Sequence, residues 1–83
     1  MIVTVIVRPR DGILDPQGET LRRSLHGLGY PAHEVRAGKV FDLELDTDDA
    51  AEARRLAEEI AERVLHNPLI EQFQIEAVAG VPV

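Results

Sequence analysis

The chain has 83 residues, no Cys and a formal charge of -6. Disulfides and thiolate metal sites are excluded, and an acidic surface opposes nonspecific binding to nucleic acid or anionic membranes because phosphates repel it. A chain this short is expected to form one domain, residues 1–83, with a modest core. One Tyr, two Phe and no Trp leave that core to Val, Ile, Leu and Ala, and self-association is the remaining aid to stability.

No apolar run approaches the roughly twenty residues of a membrane span. The opening MIVTVIVRP has no basic lead and no small-residue cleavage site, so it does not read as a signal peptide. A cytoplasmic protein is the expectation.

Ile2 to Val7 is apolar except for Thr4 and mostly β-branched. Such a run suits a strand buried on both faces, central in its sheet. Pro9 and Asp11-Gly12 end it. Asp15 then offers a helix N-cap, Pro16 suits the first helical position, and Leu14 is placed to act as a hydrophobic staple. Leu21, Leu25 and Leu28 follow at helical spacing, and Gly29 supplies a left-handed stop before Pro31. Gly18 in the first turn weakens the helix and permits a close backbone approach.

From Val35 to Leu45 the odd positions read Val35, Ala37, Lys39, Phe41, Leu43, Leu45, and the even positions are mostly charged. That period of two predicts extended chain, either a hairpin turning at Ala37-Gly38-Lys39 or one long strand bent at Gly38. The unbroken parity favours the bent strand. A strand so long overhangs a domain of this size and can reach a second subunit.

Thr47 or Asp48 caps a second helix whose stripe is Ala53, Leu56, Ala57, Ile60, Val64 and Leu65. Glu59 and Arg63 make an i,i+4 pair, and Asn67-Pro68 stops the helix. Phe73, Ile75 and Ala77 alternate with Gln72, Gln74 and Glu76 in a last strand, and residues 79–83 form a short C-terminal tail. The order β-α-β(β)-α-β predicts a two-layer α+β domain of ferredoxin-like type. It has an antiparallel sheet with two helices on one face and a long bent middle strand shared in a dimer.

Catalytic chemistry finds little purchase in these residues. Ser24 is the only serine and lies mid-helix, without the strained elbow of a nucleophile. His26, His33 and His66 lie in separate segments without metal-ligand spacing. Asp42, Glu44 and Asp46 share one strand face, but a regular strand does not converge carboxylates on one ion. A solvated face is the plainer reading. Arg8, Arg10, Arg36, Lys39 and the helix start at Pro16-Gln17-Gly18 are the phosphate candidates, without a glycine-rich phosphate motif. Phe41 and Phe73 fall on core faces, not on an RNA-stacking surface.

Several motifs together resemble one family. They are Leu14-Asp15-Pro16-Gln17-Gly18, then Leu25-His26 with Leu28-Gly29-Tyr30, then Val35-Arg36-Ala37-Gly38-Lys39-Val40, then Leu43-Glu44-Leu45, and finally Asn67-Pro68-Leu69-Ile70-Glu71. In order and over essentially the whole chain they look like PurS, the small subunit of phosphoribosylformylglycinamidine synthase. The resemblance implies an accessory role in de novo purine biosynthesis. The complex converts formylglycinamide ribonucleotide, glutamine and ATP into formylglycinamidine ribonucleotide, glutamate, ADP and phosphate, a ligase reaction. ATP and Mg²⁺ belong to a PurL-like synthetase subunit, ammonia release to a PurQ-like glutaminase, and this chain is implied to hold no cofactor and no catalytic residue. It is implied to form a homodimer or a tetramer and to bridge the two enzymes.

Asp15, Pro16, Gln17, Gly18, Arg36, Gly38 and Lys39 are the candidate subunit contacts, being polar or permissive residues outside the apolar stripes. The same residues equally suit capping a helix and bending a strand. Two other classes share the fold type. An ACT-like module would sense a small molecule, and an acylphosphatase-like enzyme would need a phosphate-cradling loop that Arg8-Pro9-Arg10-Asp11-Gly12 does not match.

Overall fold

A computed structural model describes residues 1–83. The chain runs β1 (Ile2–Pro9), α1 (Pro16–Gly27), β2 (Lys39–Glu44), α2 (Ala50–Ile60), a π-helical turn (Ala61–Leu65), β3 (Glu71–Val78) and β4 (Val81–Pro82). The four strands form one antiparallel sheet in the order β2-β1-β3-β4. This is the expected α+β class, with the β-branched first strand at the centre.

Alternation along β1 sets the core. Val3, Val5 and Val7 point to one face and are fully buried against Ala53, Ala57 and Ala61 of α2 and the turn that extends it. Methyl-sized helix residues let the α2 backbone settle close over the valines. Phe41, Leu43, Phe73 and Ile75 flank this contact half-buried. α1 buries only Gly18; its stripe residues Leu21 and Leu28 are exposed. Leu14, also exposed, is not a staple.

Five local details depart from the sequence expectation. The hydrogen-bonded part of the middle strand begins at Lys39, because Glu34 to Gly38 has no ladder partner within the chain. The cap of α2 is Asp49, whose carboxylate accepts from the Ala51 N–H at 3.0 Å, while Thr47 Oγ1 accepts from the Asp49 N–H. A bulge between Thr4 and Val5 shifts the β1–β3 register, so Ala77 faces Thr4 and Val78 takes its place beside the core. The π-helical turn keeps Ala61 and Leu65 on the packed side and leaves Val64 exposed. The tail is partly structured, since Val81 and Pro82 pair with Val78 and Ala77.

Candidate functional site

The motif residues of the first helix and the middle strand meet at one joint. Asp15 caps α1 by accepting the Gly18 N–H at 3.1 Å, and its second oxygen accepts the Ala37 N–H at 2.7 Å. One carboxylate thus ties the start of α1 to the segment leading into β2. These two N–H donors, Ala37 first and then Gly18, hold its pKa below the usual carboxylate range, since hydrogen bonds to the charged form favour it. Gly18 lies directly against the Val35 carbonyl oxygen, where a Cβ would collide. Gly38 lies under β1, where a Cβ would come 2.7 Å from the Val7 oxygen. Both glycines therefore serve close approach rather than flexibility.

Around that joint the charges pair off. Arg36 donates to the Asp11 carboxylate at 2.9 Å and also to the Pro9 carbonyl. Lys39 sits 3.5 Å from Glu71. The Glu71 carboxyl is lowered chiefly by the Asn67 backbone N–H, which it accepts at 2.9 Å, with Lys39 adding to the effect. Arg22 makes two bonds to Glu19 and brings that carboxyl down to about 2. A cleft of about 210 Å³ opens beside the joint, lined by Arg10, Arg22 and Arg36 together with Asp15, Glu19 and Glu34. Its charges balance, so it has no net field to concentrate a phosphate. Pro16 and Gln17 are exposed and do not line it.

The remaining candidates stay apart. Arg8 and Lys39 do not converge with Arg10 into an anion site. Asp42 accepts from Thr4 Oγ1 at 2.7 Å, and no three His, Asp or Glu side chains come together as metal ligands. His26 bonds the Ala32 carbonyl and His66 the Ala61 carbonyl, each closing the end of a helix. His66 also lies edge-on to Phe73, with ring centres 5.0 Å apart.

Sequence reasoning named both halves of the joint but missed that they bond each other, along with the parts played by Asp11 and Glu71. The Glu71 role had a visible signal. Asn67 Oδ1 accepts the Leu69 N–H at 3.1 Å in an Asx turn that brings Glu71 back to the Asn67 amide.

The family model for PurS, phosphoribosylformylglycinamidine (FGAM) synthase, matches residues 2–79. The chain belongs to the PurS family. A Mycobacterium leprae protein named phosphoribosylformylglycinamidine synthase subunit PurS is 41% identical over 75 residues, covering 89% of each chain. The solved PurS of Thermus thermophilus superposes with a TM-score of 0.85 at 34% identity, covering 98% of this chain and 96% of that one. A chain in the solved PurLQS of Thermotoga maritima superposes with a TM-score of 0.77 at 28% identity, covering 90% and 95%.

Proposed function

We propose that this chain is the non-catalytic, bridging subunit of a phosphoribosylformylglycinamidine synthase in purine biosynthesis. The observation that carries this is the end-to-end likeness to the Thermotoga maritima chain, which is found in a complex of PurL, PurQ and PurS type. The physical task is to hold a PurQ-like glutaminase at a PurL-like synthetase, so that ammonia released by one is captured by the other. A held geometry raises the effective concentration of the ammonia donor and fixes its orientation. ATP and Mg²⁺ are used by the synthetase partner in this reading, and the chain's own residues supply contact surface.

A second copy of the chain belongs to the same reading. The accessible surface is 5896 Å² for 9.2 kDa, whereas a folded monomer of that mass exposes about 4900 Å². The excess of about 1000 Å² is comparable to the roughly 800 Å² that each partner gives to a standard interface. The radius of gyration, 15.6 Å, likewise exceeds the about 12 Å of a compact chain this long.

The test is synthase activity of the synthetase and glutaminase subunits with and without this chain. Glutamine-dependent turnover should require it, and ammonia-dependent turnover should not. Equal glutamine use in its absence would remove the bridging role.

A further inference from the structure

The stretch Asn67-Pro68-Leu69-Ile70-Glu71 folds into a turn that is held more firmly than a surface connection requires. The Asn67 carbonyl accepts the Ile70 and Glu71 N–H groups at 3.1 and 2.7 Å. Its Oδ1 accepts the Leu69 N–H, and its own N–H goes to the Glu71 carboxylate. Two further bonds fasten the turn to the end of β1. The Arg10 N–H reaches the Ile70 carbonyl and Arg10 Nε the Pro68 carbonyl, both at 2.9 Å. At the tip of this frame stands Leu69, 82% exposed, the most exposed large apolar side chain of the molecule. Such turn positions ordinarily carry Gly, Asn, Asp or Ser, and the core makes no use of Leu69. Ile70 and Ile13, both also exposed, continue the apolar surface. Ile13 is tied to the same strand end by its N–H bond to the Arg10 carbonyl.

The charge around the turn is the exception in this chain. Arg8 and Arg10 are the only Lys or Arg residues without a carboxylate within 3.5 Å, although the chain carries 15 Asp and Glu. Arg8 stands opposite Gln72 in the β1–β3 register, and the Arg10 guanidinium bonds only the Pro68 carbonyl. Both are exposed. Two unpaired cations thus border an apolar tip on a fixed backbone.

We propose that this turn is the anchor by which the chain docks one enzyme subunit of the synthase. Leu69, with Ile70 and Ile13, enters an apolar socket on that subunit, and Arg8 and Arg10 meet carboxylates on the socket's rim. The inference rests on the bridging role proposed above and adds the surface and the charge of the partner's site. A backbone already fixed in place loses little freedom on binding, so more of the contact energy appears as affinity. The unpaired guanidiniums select for an acidic partner and speed its approach. A second copy of this chain is a poor occupant, since a two-fold contact of the patch with itself gathers four unpaired guanidiniums. Nucleic acid is opposed by the formal charge of -6.

The test titrates this chain into the synthetase and glutaminase subunits and reads the concentration giving half-maximal glutamine-dependent turnover. Leu69→Ser and, separately, Arg8→Glu should raise that concentration at least tenfold, with full turnover recovered at saturation. Both side chains are exposed, so the melting temperature and the mass of the uncomplexed chain should stay unchanged. Added salt should weaken the unsubstituted chain more than Arg8→Glu, which has lost an attractive pair. Sedimentation with each enzyme subunit alone should show the lost affinity for one of them only. Unchanged half-maximal concentrations, where the unsubstituted chain does stimulate, overturn this surface and leave the bridging role standing. No stimulation by the unsubstituted chain overturns both. An equal salt response overturns the carboxylate rim. A variant that changes the mass of the uncomplexed chain assigns the patch to the contact between copies and overturns the proposal.

Discussion

The N–H of Ala37 donates to the Asp15 carboxylate over 2.7 Å, and the other oxygen of that carboxylate holds the first turn of α1. Local capping and long-range docking thus share one side chain. Because the charged form accepts both bonds, the folded pKa lies below the ordinary value of 3.8. The resulting stabilisation is fully present above that value and is lost as pH falls through the lowered one. Glu19 and Glu71, lowered for similar reasons, act in the same direction. Denaturant unfolding of Asp15→Asn should show lower stability than wild type near neutrality and a gap that closes as pH drops below about 4. A gap that stays constant down to pH 2 would mean that the charge on Asp15 does not matter.

Gly18→Ala separates helix propensity from packing. In an open helix the change stabilises by about 1 kcal/mol. Here the new methyl meets the Val35 carbonyl and Asp15, so α1 must lift off the segment below. Net destabilisation of about 1–3 kcal/mol is expected, read from urea midpoints at unchanged slope. A stabilised variant would show that α1 is not seated on that backbone.

The core contact predicts an unusually size-sensitive helix face. Ala57 is fully buried against the valines of β1, and Ala57→Leu inserts three carbons into that contact. A loss of about 1–3 kcal/mol is expected from overpacking, seen as a lowered thermal midpoint. Ala51→Leu, on an exposed position of the same helix, should change stability little.

The α1 stripe tests association separately from folding. Leu21 and Leu28 are 45% and 74% exposed, so charges there cost the single chain little. If α1 lies in the interface between copies, Leu21→Glu with Leu28→Glu should raise the dimer dissociation constant at least about tenfold, which is about 1.4 kcal/mol, with helical circular dichroism retained. Unchanged sedimentation would take α1 out of that interface.

Elements defined by local chemistry were readable from residues alone. The β-branched run of β1, the Asp15-Pro16 start of α1 and the left-handed Gly29 (φ 89°) all follow from neighbours in sequence. What escaped depends on distant partners. Alternation continued smoothly through Gly38, yet the pairing with β1 stops at Val7 and Lys39, although β1 itself runs on to Pro9 beside β3. Ala77 kept the right parity in its own strand, but the bulge opposite Thr4 and Val5 moved it off the core side. Ala61 lies outside the stripe read from the sequence, although it continues the steps of four from Ala53 and Ala57 to Leu65 on the packed side. Of the candidate site, the residue types were visible. Their mutual bonding was not, because Asp15 and Ala37 are separated by a whole helix.

The two margins of the sheet are unequal. β4 is only two residues long, and one of them is Pro82, which has no N–H to give. That margin cannot template a further strand, whereas the β2 margin can. One border of the sheet is thus open to extension and the other is closed, so growth of the sheet by strand addition has a single direction.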